Sequence, residues 1–89
     1  MPKVVFTSAL QRHVACPDST VPGNNVRQAL ENVFRARPKA RSYVLDDDGS
    51  VRHHVAVFVD GAALVDRREL SDEVNESSEI YVMQALSGG

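Results

Sequence analysis

The chain has 89 residues, is 43% hydrophobic and 25% charged, and carries a formal net charge of -2. A chain of that size has room for one small domain with a spare core, and the composition is that of a folded protein rather than a disordered one. The balance argues against a nucleic-acid-binding surface, and the apolar runs fall far short of the roughly 20 residues that cross a membrane. No leader-type pattern is read at the start, and the single cysteine, Cys16, can form no internal disulfide, so a cytoplasmic location is expected.

In chain order, residues 3–8 read as a strand rich in β-branched side chains, with Val4 and Phe6 on one face and Val5 and Thr7 on the other. Residues 11–20 read as a polar loop, with a short return strand over residues 19–21 closed by Pro22-Gly23. Asn25 is a good N-cap, with Gln28 three residues on as in a capping box. Val26, Ala29, Leu30, Val33 and Phe34 then lie on one helical stripe, the natural core face. Arg27, Glu31 and Arg35 recur every four residues on another face, and Pro38 predicts an end at or before Arg37. Tyr43-Val44-Leu45 is expected to add at most one helical turn.

Asp46-Asp47-Asp48-Gly49-Ser50 is a turn by composition, and Val55-Ala56-Val57-Phe58-Val59 is an apolar strand expected to be buried on both faces. Asp60-Gly61 is a strong turn signal, after which residues 62–65 can return as a short strand. Residues 67–78 are polar and irregular, with Leu70 and Val74 as core plugs, and residues 80–85 form the last strand. One helix must cover one face of a mixed sheet, which predicts an α+β domain over residues 1–89.

Charge is uneven along the chain. Residues 1–44 carry seven basic and two acidic side chains, while residues 45–89 carry three and ten, which gives net charges of +5 and -7. Solvated faces account for this pattern, although Asp72, Glu73, Glu76 and Glu79 could also meet a basic partner.

The tail is the informative feature. Gly88 and Gly89 follow an apolar strand, yet they have no side chain to pack. A frayed end without a role is one reading. The functional one makes the terminal carboxylate the reacting group. A carboxylate is a poor electrophile and must first be activated, usually as an acyl-adenylate, in the water-excluded site of a partner. A thread of Ser87-Gly88-Gly89 is thin enough to enter such a site.

Three pieces carry a resemblance: Val57-Phe58-Val59-Asp60-Gly61, then Ile80-Tyr81-Val82, then Gln84-Ala85-Leu86-Ser87-Gly88-Gly89. With them the chain resembles the MoaD/ThiS family of small sulfur-carrier proteins, which are ubiquitin-like β-grasp domains. Asp60 stands where the family frequently has Asn. The resemblance implies a mixed sheet of four to five strands covered by one main helix, with the first and last strands parallel at its centre. It implies a flexible tail over residues 87–89, whose Gly89 carboxylate is adenylated by a ubiquitin-activating-type adenylyltransferase and converted to a thiocarboxylate. The sulfur would then pass to an acceptor synthase, such as the large subunit of molybdopterin synthase. The loop over residues 11–20 and the turn over residues 46–50 lean toward the molybdopterin synthase small-subunit type or another pathway's carrier.

On this reading the chain is a covalent co-substrate, not an enzyme, and holds no cofactor stably. It has no Gly-rich phosphate loop, so the activating partner must bind the ATP. Leu86, Ser87, Gly88 and Phe58 are the expected binding residues, with Tyr81 beside Phe58 in a contact patch near the tail. Two alternatives stay open: a modifier joined through Gly89 to a lysine of another protein, and a binding subunit whose tail only docks.

Other constellations are weak. His13 and Cys16 form H-x-x-C, but only His53 and His54 remain as nitrogen donors, so a metal is not expected and Cys16 reads as an ordinary surface-loop thiol. The Asp46-Asp47-Asp48-Gly49 run fails as a calcium loop, because Val57 stands where the last glutamate ligand should be. Ser8, His13 and Asp18 lack the local setting of a catalytic triad.

Overall fold

The computed structural model describes residues 1–84. Its sheet has five strands: β1 (Lys3–Phe6), β2 (Ser19–Thr20), β3 (Val55–Val59), β4 (Ala62–Ala63) and β5 (Glu79–Gln84). They lie in the order β2-β1-β5-β3-β4, so the last strand is central. β1 and β5 are parallel, with Val4 opposite Ile80 and Phe6 opposite Val82, while β5 and β3 are antiparallel, with Phe58 opposite Tyr81. The long chain path between β1 and β5 is what a parallel pairing requires. Asp60 and Gly61 have φ of 49° and 86°, both in the left-handed region, which is the geometry of a two-residue hairpin turn whose twist suits the strands.

Three helices accompany the sheet: α1 (Ser8–Gln11), α2 (Val26–Phe34) and α3 (Pro38–Val44). α2 is the expected main helix, and its stripe of Val26, Ala29, Leu30, Val33 and Phe34 is buried throughout. Phe34 meets Phe6 of β1 at a ring-centroid distance of 6.2 Å, which places α2 on the face formed by Val4, Phe6, Ile80, Val82, Val55 and Val57. The Asn25 side chain accepts from the Gln28 N–H at 2.8 Å, as the sequence predicts. Gln28 reaches back one residue further than in a standard capping box, to the Asn24 N–H at 2.8 Å. The remaining free donors at the start of α2 are met by an irregular segment: Val26 N–H donates to the Asp72 carbonyl and Arg27 N–H to that of Leu70, both at 2.9 Å. Gly23 lies flat against this helix, since a Cβ there would come within 2.8 Å of the Ala29 nitrogen.

Four expectations need correction. Residues 8–11 form the short helix α1, with Leu10 fully buried, rather than leading straight into a loop. α2 stops at Phe34, before Arg37 as expected, but Pro38 then opens α3 at a position where its missing N–H costs nothing. α3 is therefore longer than one turn, and it buries Ala40 and Val44. β3 is buried on one face only, because Ala56 and Phe58 stay partly exposed while Val55 and Val57 do not. Cys16 is in the core rather than on a surface loop; burial pushes its thiol pKa up, and the nearby Arg37 pulls it partway back.

Polar contacts tie the periphery together. Arg41 of α3 grips both carboxylate oxygens of Glu31 on α2, at 2.9 and 3.1 Å, and this fork holds the Glu31 pKa below its usual range. Arg27 donates to the carbonyls of Gly49, Glu69 and Arg68, so one guanidinium joins α2 to two loops. Leu70 plugs the core as expected, but it does so with φ at 56°, a left-handed backbone that costs a leucine roughly 1–2 kcal/mol.

Asp66 organises the turn that presents Leu70. It accepts from the Ser71 hydroxyl and from the Glu69 N–H, which lowers its pKa to about 2. The folded pKa lies below the unfolded value, so the unfolded chain binds the extra proton first. This contribution to stability is therefore complete above the unfolded value of about 4 and is lost as the pH falls toward 2. In melting curves taken across that window, Asp66→Asn is expected to flatten the fall of Tm with acid. A wild-type slope retained in the variant would contradict this.

Candidate functional site

The site builds outward from β5. Its alternation sends Ile80 and Val82 into the core and Glu79, Tyr81 and Met83 to the other face of the sheet. On that open face the register aligns Val5, Tyr81, Phe58 and Ala63 in one row across four strands. Met83 and Ala56 form the next row toward the C-terminal end of β5, and Lys3 with Glu79 caps the opposite end with charge. The open face is thus apolar on the side from which the chain continues to its terminus. Phe58 is half-buried there, Tyr81 is 36% exposed, and the two lie opposite each other in the ladder. Leu86, Ser87, Gly88 and Gly89 lie outside the described residues, as does Ala85 at the expected end of the last strand.

At the end of β5 the structure assembles residues that the sequence left apart. Tyr43 of α3 stacks on His13, with ring centroids 5.4 Å apart and planes at 13°. His54 meets the same ring edge-on at 4.9 Å, and His53 lies 6.0 Å from His54. The Tyr43 hydroxyl donates to Gln84 Oε1 at 2.6 Å. Sequence reasoning listed His53 and His54 only as possible metal donors, and His13 as a metal donor or triad member. No short-range signal could have found the cluster, since its members come from a loop, a helix and a strand entrance.

The other weighed candidates do not assemble into chemistry. Among the described residues no group of three or more His, Cys, Asp or Glu side chains could hold a metal ion. Asp46, Asp48 and Ser50 close a turn, with Asp48 accepting from the Ser50 hydroxyl, which lowers the Asp48 pKa. Asp72 is committed to the N–H groups of Val65 and Asp66, so of the four acidic residues weighed for a partner it is already occupied internally. A cleft of about 530 Å³ runs along α2 between Asn24 and Arg35, but it is open, lies away from the end of β5 and gathers no nucleophile. No described helix is long and apolar enough to cross a membrane.

The sequence matches no family model and no curated protein. Solved structures do match. The small archaeal modifier protein SAMP1 of Haloferax volcanii is 26% identical, with a TM-score of 0.75 over 99% of this chain and 98% of that one. A chain of the Amycolatopsis orientalis BexX/CysO complex superposes with a TM-score of 0.81 at 16% identity, covering both chains completely. Mycobacterium tuberculosis CysO gives 0.79 at 11% identity over 97% of this chain and all of that one. These neighbours do not support the molybdopterin synthase small-subunit type toward which the loop lengths lean. The parallel β1–β5 pair, the helix over one face and a likeness that runs the length of the chain lead to one assignment: the protein has the ubiquitin-like β-grasp fold, and in it is similar to SAMP1 and CysO.

Proposed function

We propose that this chain is a sulfur carrier acting through the carboxyl group of Gly89. The observation that carries the reading is the placement of β5. The central strand runs beneath an open apolar face and delivers the chain, after Gln84, into a terminal Ser87-Gly88-Gly89. In the reaction, a carboxylate oxygen of Gly89 attacks the α-phosphorus of ATP and pyrophosphate leaves. A hydrosulfide-level sulfur nucleophile then attacks the acyl-adenylate carbonyl, AMP leaves and a thiocarboxylate remains. An adenylating partner of the ubiquitin-activating type supplies the ATP site, and an acceptor synthase consumes the sulfur. Incubation with such a partner, ATP and sulfide is the test. The product should be heavier by the difference between sulfur and oxygen; an unchanged mass with an enzyme proven competent on another carrier would overturn the reading.

A second reading has its own support, because the neighbour at 26% identity, SAMP1, is named a modifier protein. Here a lysine amine replaces sulfur as the nucleophile, AMP still leaves and an isopeptide bond forms. Conjugates of higher mass in cells, cleaved at Gly89, distinguish this outcome.

The apolar rows of the open face serve as the docking surface for the activating partner, and BexX/CysO is a neighbour crystallised as a complex. Tyr81 is the exposed aromatic at the centre of that surface, the kind of residue that dominates binding energy. Tyr81→Lys is expected to weaken partner binding by about tenfold or more while leaving the melting temperature close to wild type. Titration calorimetry and a melting curve check both arms.

A further inference from the structure

We propose that Tyr43 is a positioning residue that fixes where β5 ends and so sets the reach of the C-terminal carboxyl. The inference deepens the carrier reading and rests on it for its functional consequence. Its basis is the convergence of three remote segments on one phenol ring. His13 stacks against the ring from the loop after α1, and His54 presses on its edge from the entrance to β3. The ring packs against the core, into which its own helix also buries Ala40 and Val44. Clamped this way, the hydroxyl donates to Gln84 Oε1 at 2.6 Å, 41 residues away in sequence.

Gln84 sits opposite Val55, the first residue of β3, in the terminal pair of the β3–β5 ladder among the described residues. Terminal pairs fray first, because they have neighbours on one side only. The Tyr43 bond replaces the missing neighbour with a side-chain tie. Beyond Gln84 the sequence runs through five more residues to Gly89. Five residues span at most about 18 Å, and each further residue released from the strand would add about 3.3 Å of tether that must be ordered again on docking. A fixed strand end thus keeps the carboxyl within a defined radius of the docking face. That ordering cost falls on binding, before chemistry, so the clamp acts on KM and not on kcat.

Tyr43→Phe removes the hydroxyl and keeps the ring stack. Backbone and side-chain order parameters of Gln84, measured by NMR, are expected to fall from near the rigid value of about 0.85 toward about 0.6, with Val82 unchanged. In ATP–pyrophosphate exchange driven by the adenylating enzyme of the same organism, the KM for the carrier should rise about threefold to tenfold at constant kcat. Gln84→Leu should behave like Tyr43→Phe, and Gln84→Glu, which keeps an acceptor, should restore the wild-type KM. Unchanged order at Gln84 in Tyr43→Phe, or a fall in kcat at constant KM, overturns the proposal. If the wild-type chain supports no exchange at all, the carrier reading fails, and the order parameters still decide the clamp.

Discussion

Deleting Gly88 and Gly89 is expected to abolish adenylate formation and thiocarboxylate loading completely, while leaving the fold and its melting temperature within about 2 °C of wild type. The asymmetry follows from where the core lies. Every buried apolar residue described, from Val4 to Val82, precedes the deleted pair. The two glycines contribute no side chain to any of these contacts. The proposed chemistry, by contrast, requires the carboxyl at one distance from the proposed docking face, and a chain two residues shorter loses about 7 Å of reach. Pyrophosphate exchange and intact mass report the first arm, and calorimetry reports the second. Loading that survives the deletion would remove Gly89 from the mechanism. Loss of loading together with a large fall in Tm would mean that the terminus supports the fold as well.

Phe34→Ala is expected to be the most damaging substitution for stability. Phe34 is 2% exposed, closes the helical stripe and faces Phe6 across the helix–sheet interface. Removing a buried aromatic ring costs about 3–5 kcal/mol, through lost transfer energy plus the cavity left behind. A domain of this size has on the order of 5–10 kcal/mol in total, so the variant would sit near its unfolding threshold at physiological temperature. At roughly 4–8 °C per kcal/mol, Tm should fall by at least about 12 °C. Phe34→Leu keeps most of the volume and should fall much less. A shift below about 5 °C for the alanine variant would show that the interface collapses to fill the space. Because β1 pairs directly with β5, the same variant is expected to loosen the scaffold under the tail before it unfolds globally.

The two sets of expectations rest on different physics, and the sequence exposes them unequally. The helix from Val26 was legible because a 3.6-residue apolar stripe and an asparagine cap are local signals, each carried within a few residues. The Asp60-Gly61 turn was legible for the same reason, since positive φ selects for those residue types. α3 was not, because Pro38 reads equally as a terminator and as a first helical residue, and only the packing of Ala40 and Val44 decides between them. Leu70 was placed in the core by its hydrophobicity, but its left-handed backbone could not be foreseen. That conformation is held by the turn that Asp66 organises and by the Leu70 carbonyl bonded to the Arg27 N–H at the start of α2.

Local pattern was therefore sufficient for the α+β class and for the order of the main elements, and the carrier proposal rests on the Ser87-Gly88-Gly89 run, since each is written in neighbouring residues. Tertiary structure alone decided which face of the sheet stays open, that Cys16 is interior, and that His13, Tyr43, His54 and Gln84 meet at one end of β5. The reason is separation along the chain. Side chains 41 residues apart share no local signal, and they are brought together only by the register of the central strand and the docking of α3.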